Sequence, residues 1–445
     1  MNRITKFKAK VVKSDAIKSS TWIAAGMVVG QCLRLLLNLG LTRLLAPEFF
    51  GLMAIVYALT GFFGMMSDIG LFPSIVNSKR DNDPAFMQTA WTIQVIRSLL
   101  ISLALMLAAY PMSVFYSEPV LFPVILAVSL SFIFSGFNSI ALKIEEKYLR
   151  QKKIVIVNIG IQVIMSIAVF LIAYYTKSIW SLVFGNLISV VLQFVSSYLL
   201  FGPHYSKFRL EKEATGEIIH FGKWILLSSF FGYLANQAAP LIIAGFVSSA
   251  ELGIYTIGLM LASSAGLIST NLSQKVIFPK FRKILENRDE AAYRRLLSLR
   301  ERFVTMFAMI PLSLAIIGDW LVNVLYDERY EQAGWVLRML AVGAIGKLLI
   351  TSAQPVLLAL RDSRLLLINQ FLVASIRVGC LVILGHFYRF DGIVLAGAVA
   401  SYFEYVIVVV NLRKYKVNIL KKDVKLLLFC GATIALSWAL LGIHR

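Results

Sequence analysis

The sequence of 445 residues contains few charged side chains, only three cysteines and only four histidines. Charged residues make up 15% of the chain and apolar residues 58%, whereas soluble proteins average about 25% and about 45–50%. So few polar side chains cannot cover a water-soluble surface, which argues against a cytosolic enzyme, a secreted disulfide scaffold and a disordered chain. The composition and the mean hydropathy of +0.77 indicate an integral membrane protein.

Sequence motifs typical of disulfide frameworks, metal sites and enzymes are missing as well. Cys32, Cys380 and Cys430 lie in apolar stretches without paired spacing, so they predict neither a disulfide framework nor a metal site. The sequence contains no Walker phosphate-binding loop, no His-Glu-x-x-His and no Gly-x-Ser-x-Gly. We therefore expect no cofactor, no bound metal and no enzymatic activity.

Long apolar runs dominate what the sequence does contain. A helix needs about 20 apolar residues to cross the hydrocarbon core of a bilayer, and thirteen stretches qualify. They run approximately over 19–45, 48–71, 85–110, 120–142, 154–174, 179–201, 217–246, 251–274, 303–326, 332–360, 365–385, 391–411 and 426–443. The predicted fold is an all-α integral membrane protein with 12–14 transmembrane helices.

The lysines and arginines between these spans lie mostly on one side. Alternate segments carry 33 of the 44 cations, the opposite segments carry four, and the spans carry seven. Because cytoplasmic loops are enriched in Lys and Arg, this split predicts a cytoplasmic N-terminus. The net charge of +20 is thus mostly a topology signal, and no nucleic-acid partner is expected. The longest basic segment, 275–302, predicts either an amphipathic helix on the cytoplasmic surface or an ordinary linker.

Two short motifs recur six spans apart. Residues 48–53 (Glu-Phe-Phe-Gly-Leu-Met) open the second span and residues 250–255 (Ala-Glu-Leu-Gly-Ile-Tyr) open the eighth, while residues 115–118 resemble residues 325–328. Because six is even, such repeats would be parallel bundles around a central path. The predicted domains are a six-helix bundle in 1–214, a second in 215–425 and an additional helix in 426–445. The alternative is that short apolar motifs recur by chance.

Polar residues inside the spans mark the predicted site, because an ion at mid-bilayer normally faces a cavity or a partner. The seven cations are Arg34, Arg43, Arg97, Lys223, Arg338, Lys347 and Arg377. Helical spacing aligns polar stripes on three spans: Gln31, Arg34, Asn38 and Thr42; Tyr57, Thr60, Gly64 and Asp68; and Ser229, Tyr233, Asn236 and Gln237. These stripes predict a hydrated, cationic lumen suited to an anionic cargo.

The predicted substrate-binding residues are taken from these stripes and from the cations within the spans. They are Gln31, Arg34, Asn38, Arg97, Lys223, Tyr233, Asn236, Lys347 and Arg377. The structural alternative for the whole set is hydrogen bonding between helices. Asp68 and Glu404 are the predicted ion-coupling carboxylates, or else they neutralise a neighbouring arginine.

At several places the sequence resembles a known family. Residues 43–51 (Arg-Leu-Leu-Ala-Pro-Glu-Phe-Phe-Gly) resemble the end of the first helix of bacterial Wzx-type polysaccharide flippases, within the multidrug/oligosaccharidyl-lipid/polysaccharide exporter superfamily. The resemblance continues at 68–71, 115–119, 221–224, 251–255 and 335–340. It implies two six-helix bundles that form a V around a cationic cavity. Two departures are the Asn236-Gln237 pair, where many relatives carry an acid, and a count of thirteen helices instead of 12 or 14.

The resemblance also implies a function. Members move undecaprenyl-pyrophosphate-linked oligosaccharides across the inner membrane by alternating access, for lipopolysaccharide and other surface polysaccharides. The implied partners are that glycan lipid, membrane lipids, and polysaccharide polymerase and chain-length proteins. One alternative is an ion-coupled small-molecule antiporter of the same fold. Another is a membrane glycosyltransferase or polymerase, which would need a large outer loop, whereas the longest outer segment has about nine residues.

Overall fold

The computed structural model describes residues 3–67, 70–78, 80, 83–148, 150–272, 290–359, 363–414 and 420–440. Within these ranges all regular structure is helical. The helices are α1 (Arg3–Leu44), α2 (Pro47–Met66), α3 (Leu71–Asn77), α4 (Pro84–Phe115), α5 (Leu121–Gly136), α6 (Ala141–Lys147), α7 (Gln151–Thr176), α8 (Trp180–Phe201), α9 (Lys212–Asn236), α10 (Ala239–Ile243), α11 (Ser249–Leu272), α12 (Glu290–Leu325), α13 (Gln332–Ala359), α14 (Ser363–Lys414) and α15 (Leu420–Leu440). A 3₁₀ turn, Glu328–Tyr330, joins α12 to α13.

Nine of the described helical stretches are long and apolar enough to cross a membrane, and α5 with α6, bent by 68°, would make a tenth. The prediction of an all-α, multi-pass membrane protein is confirmed. The predicted spans eleven and twelve are both parts of α14, which Arg389 interrupts with non-helical backbone angles (φ 48°, ψ −126°). The predicted spans seven and eight correspond to α9–α10 and α11, which are not among the nine.

Two predicted boundaries are wrong. The seventh span was expected to be continuous over 217–246, but α9 ends at Asn236 and α10 starts at Ala239. Pro240 explains the break, because proline lacks an N–H donor and disfavours a helical residue before it. Residues 290–302 belong to α12, so this part of segment 275–302 extends the ninth span. Residues 273–289 lie outside the described residues.

The chain packs as two compact units, the first with residues 1–45 and 59–230 and the second with residues 46–58 and 231–445. In the first unit α7 packs between α1 and α8, and α5 packs between α4 and α8. In the second unit α13 packs against α11, α12 and α14, and α15 packs against α12. The predicted bundles 1–214 and 215–425, and the extra helix in 426–445, stay predictions.

A polar network connects the loop before α4 to the loop before α9 in the first unit. The Arg80 guanidinium donates to the carboxylates of Asp83, at 2.5 Å, and Glu211, at 2.8 Å. Asp83 also caps α4 by accepting from the backbone N–H of Ala85 at 2.9 Å. The hydrogen bond from Arg80, helped by the one from Ala85, holds the pKa of Asp83 below its usual range.

Two glycines allow α2 and α11 to cross closely inside the second unit. A Cβ atom on Gly51 would lie 1.8 Å from the carbonyl oxygen of Ser249, and one on Gly253 would lie 1.9 Å from that of Pro47. The contact is reciprocal between the two motifs that recur in the sequence, as twofold-related elements would make it. Only glycine fits at either position without moving the helices apart.

Candidate functional site

The charged cavity inside the second unit lies among α11, α13 and α14. Its volume is about 140 Å³, and its polar lining residues include Tyr255, Lys347, Arg377 and Ser401. Lys347 comes from α13 and Arg377 from the first part of α14. These two cations are 30 residues apart in sequence, and both were predicted as substrate-binding residues.

Glu404, on the second part of α14, pairs with Arg377. The Arg377 Nε donates to Oε1 at 2.9 Å and Nη2 donates to Oε2 at 2.8 Å, so the pair is bidentate. Glu404 is only 2% exposed, and the side chain of Arg377 is 20% exposed. The kink at Arg389 turns α14 back on itself and thereby brings the two residues, 27 positions apart, into contact.

Lys347 is the second cation of this cavity. Its side chain is exposed and makes no hydrogen bond or ion pair with any described residue. Among the described residues, two cations line the cavity, and the buried carboxylate of Glu404 is already bound by Arg377. Arg and Lys pair with phosphate oxygens through charge-assisted hydrogen bonds, so this arrangement can hold a compact anion.

The polar stripe of α1 lies in the first unit. Arg34 is exposed, and Gln31 and Asn38 are half-buried. No hydrogen bond or ion pair joins Arg34 to the described part of the chain. Thr42, at the end of the stripe, is buried and donates to the carbonyl of Leu39 at 3.1 Å, so it serves the helix itself.

Arg97 and Tyr233 make contacts between helices. Within the first unit, Arg97 donates to the Ser67 hydroxyl at 3.1 Å and to the Gly64 carbonyl at 2.8 Å, at the end of α2. Within the second unit, Tyr233 is 1% exposed and donates to the Ala58 carbonyl at 2.6 Å. In this conformation Tyr233 therefore holds α9 against α2, as the structural alternative expects.

Three predicted site residues receive no structural account. Asp68 and the side chains of Lys223 and Asn236 lie outside the described residues.

Two ion pairs that each contain a buried arginine were missed by sequence reasoning. Arg338, 4% exposed, pairs with Asp319 and stacks 4.5 Å from the centroid of the Trp438 ring. Arg300, counted as a loop cation, pairs with Asp423 at 2.8 Å and both are 3% exposed. Neither pair has helical spacing, since the partners are on different helices.

Comparison with known proteins identifies the family of this chain. The sequence profile of the family described as "Polysaccharide biosynthesis protein" matches residues 41–334, about two thirds of the chain. The chain belongs to this family. The resemblance to Wzx-type flippases of the exporter superfamily is confirmed.

Among curated relatives, the lipopolysaccharide biosynthesis protein WzxC of Escherichia coli (strain K12) is 22% identical over 77% of this chain and 71% of that protein. The succinoglycan biosynthesis transport protein ExoT of Rhizobium meliloti (strain 1021) is 20% identical over 68% of this chain and 60% of that protein. These relatives are named for biosynthesis and transport, which agrees in coarse terms with a protein that is not an enzyme.

Two solved structures share the fold. The lipid II flippase MurJ, in an inward closed conformation, has a TM-score of 0.71 at 13% identity and covers 96% of this chain and 93% of its own. An inward-facing multidrug resistance MATE family transporter of the MOP superfamily has a TM-score of 0.67 at 12% identity and covers 89% of this chain and 99% of its own. At such identities the likeness concerns the fold alone.

Proposed function

We propose that this protein is a flippase that moves undecaprenyl-pyrophosphate-linked oligosaccharides from the cytoplasmic to the outer leaflet of the bacterial inner membrane, for surface polysaccharide assembly. The observation that carries the proposal is the cavity of the second unit, which is lined by Lys347 and Arg377 and at which Arg377 pairs with the buried carboxylate of Glu404. Family membership and the names of WzxC, ExoT and MurJ support the cargo class. The cation distribution supports a cytoplasmic N-terminus.

The diphosphate is the part of the cargo that this cavity fits. Its volume of about 140 Å³ is below the 300–1,000 Å³ of ordinary ligand pockets, so it accommodates a compact group and excludes a glycan. The guanidinium of Arg377 can bind two phosphate oxygens in its planar fork, and the ammonium of Lys347 acts as a point charge. Arg34, exposed on α1, is proposed separately as a substrate-binding residue of the first unit.

Glu404 gives the site a route to ion coupling. An arriving diphosphate competes with Glu404 for the same guanidinium of Arg377, because both of the carboxylate's oxygens are bound there. A charged carboxylate that has lost its partner inside the membrane has a high free energy. We infer that a proton or sodium ion neutralises Glu404 when cargo binds. Release of this ion then accompanies release of the cargo during alternating access.

The test is export of surface polysaccharide in cells that lack their own flippase and carry variants of this protein. Lys347→Gln should lose most export, because the remaining guanidinium is shared with Glu404, whereas Lys347→Arg should keep it. Lys212→Gln is the matched control, since Lys212 is exposed at the start of α9 and does not line the cavity. Normal export by Lys347→Gln at a normal protein level would overturn the proposed site.

A second candidate is an ion-coupled small-molecule antiporter of the same fold, favoured by the buried Glu404 and the MATE-type fold. Net positive charge in the cavity opposes it, because organic cations need acidic or aromatic pockets. Drug susceptibility of the same cells separates the two. An antiporter would change susceptibility without restoring polysaccharide, and a flippase would do the reverse.

A further inference from the structure

A groove at one end of the second unit is separate from the Lys347–Arg377 cavity. It consists of adjoining cavities of about 870 Å³ and 780 Å³, which share Asn323 and Glu331 in their walls. Here α11 begins, α12 ends, α13 begins and α14 is interrupted at Arg389. The loops at this end are the cation-poor ones, so the topology inferred from the cations puts the groove on the outer face.

We propose that this groove is a carbohydrate-binding site that receives the glycan of the lipid as it reaches the outer face. The choice of ligand class rests on the proposed function. The groove itself is defined by its own aromatic, polar and charged residues.

Aromatic side chains form one wall of the groove. The rings of Trp335, on α13, and Phe390, beside the α14 kink, lie 6.4 Å apart between centroids. Tyr388, also a lining residue, is 63% exposed. Sugar rings present apolar C–H faces to such rings, while Asn323 and Gln332 supply amides that hydrogen-bond to hydroxyls. An apolar wall with a few convergent polar groups is the usual chemistry of a ligand pocket.

The charge of the groove selects against anions. Among the described residues its lining acids are Glu251, Asp319, Asp327, Glu328, Glu331 and Asp391, and its lining arginines are Arg329, Arg338 and Arg389. Acids outnumber bases, so a phosphate or a uronic acid is disfavoured, and a neutral or amino sugar is favoured. Arg338 is 4% exposed and its charge is balanced by Asp319, so it adds little positive charge for an anion to use.

The size and shape of the groove fit a chain of sugars. Each cavity falls in the range of about 300–1,000 Å³ typical of ligand sites, and the two lie side by side. The groove therefore complements the small cationic cavity: one takes the compact anionic part of the cargo and the other takes its extended polar part.

Binding of soluble saccharides by the full-length protein in lipid nanodiscs tests the proposal. The probe is the oligosaccharide mixture that mild acid releases from the surface polysaccharide of the source bacterium, measured by isothermal titration calorimetry. Trp335→Ala should weaken binding at least about tenfold, as for a central aromatic anchor, and Trp335→Phe should restore most of it. Trp320→Ala is the control, because Trp320 is 63% exposed on α12 but does not line the groove.

Tyr388→Ala and Glu331→Gln keep the test valid if Trp335→Ala folds poorly, since both side chains are exposed. Each should weaken binding several-fold. The proposal is overturned if the wild type binds no saccharide at millimolar concentration, or if these variants bind as well as it does. It is also overturned if a photo-crosslinker at Tyr388 captures a protein in cells while saccharides do not bind. Failure of the wild-type protein to restore export in cells that lack their own flippase would refute the proposed function and leave a positive binding result standing.

Discussion

Removing Arg377 alone should destabilise the protein strongly, because it strands Glu404 inside the second unit. Glu404 is 2% exposed and its two oxygens accept hydrogen bonds of 2.8–2.9 Å from the guanidinium. Breaking a buried pair from one side typically costs about 3–5 kcal/mol. Lys347 lines the same cavity and offsets part of this loss, so we expect about 3 kcal/mol for Arg377→Met.

Replacing both partners should cost much less. Well-packed apolar residues in place of a buried ion pair are often neutral or stabilising, so Arg377→Met combined with Glu404→Leu should stay within about 1 kcal/mol of the wild type. The double variant should nevertheless fail to export polysaccharide, because the diphosphate loses its guanidinium. Stability and transport are thereby separated.

Equilibrium unfolding in mixed micelles of increasing SDS content measures the stability of all four proteins in this mutant cycle, and surface polysaccharide measures their export. The control pair is Arg329→Met with Asp327→Leu, an exposed ion pair whose removal should change stability by less than about 1 kcal/mol. The reasoning is refuted if Arg377→Met is as stable as the wild type. It is refuted equally if the double variant is no more stable than the single one.

Three further predictions concern other parts of the chain. Gly51→Ala should destabilise the second unit by about 1–3 kcal/mol or more, because the facing carbonyl oxygen is 1.8 Å from the new Cβ. Gly64→Ala on the same helix is the control and should be tolerated, because its new Cβ meets nothing within 4 Å. Equal stability of the two variants would contradict this prediction. Arg34→Ala should abolish export at a normal protein level, and unimpaired export would remove Arg34 from the site. Arg80 holds the pKa of Asp83 below its usual range, so the stability that Asp83 contributes is present above about pH 4 and is lost as the pH falls through the lowered pKa. The free energy of unfolding of Asp83→Asn should therefore depend less on acid pH than that of the wild type. An unchanged acid profile would argue against the network.

Much of the architecture could be predicted because bilayer physics acts on local composition. Each span needs about 20 apolar residues and each loop carries a charge signal, and both are readable from a window of sequence. The break beside Pro240 was missed because the apolar run continues through it. Residues 290–302 were predicted either as an amphipathic surface helix or as a linker, and they are helical but continuous with α12.

Only part of the candidate site could be predicted from the sequence. Lys347, Arg377 and Glu404 stood out as ions within apolar spans, which is a compositional signal. The sequence could not predict that these side chains lie close together, because their proximity depends on the kink at Arg389 and on the packing of α13 against α14. The pair of Arg338 with Asp319 was missed because it depends on the packing of α12 against α13.

The sequence by itself determined that this chain is an all-helical, multi-pass membrane protein and to which family it is related, and its cations predict which loops face the cytoplasm. The membrane character follows from transfer free energies that add residue by residue along the chain. Only the tertiary structure decided which buried ions neutralise one another and which retain charge for a ligand. Pairing depends on contacts between helices that are far apart in sequence, and Glu404, a candidate coupling carboxylate by composition, is by contact the partner of Arg377.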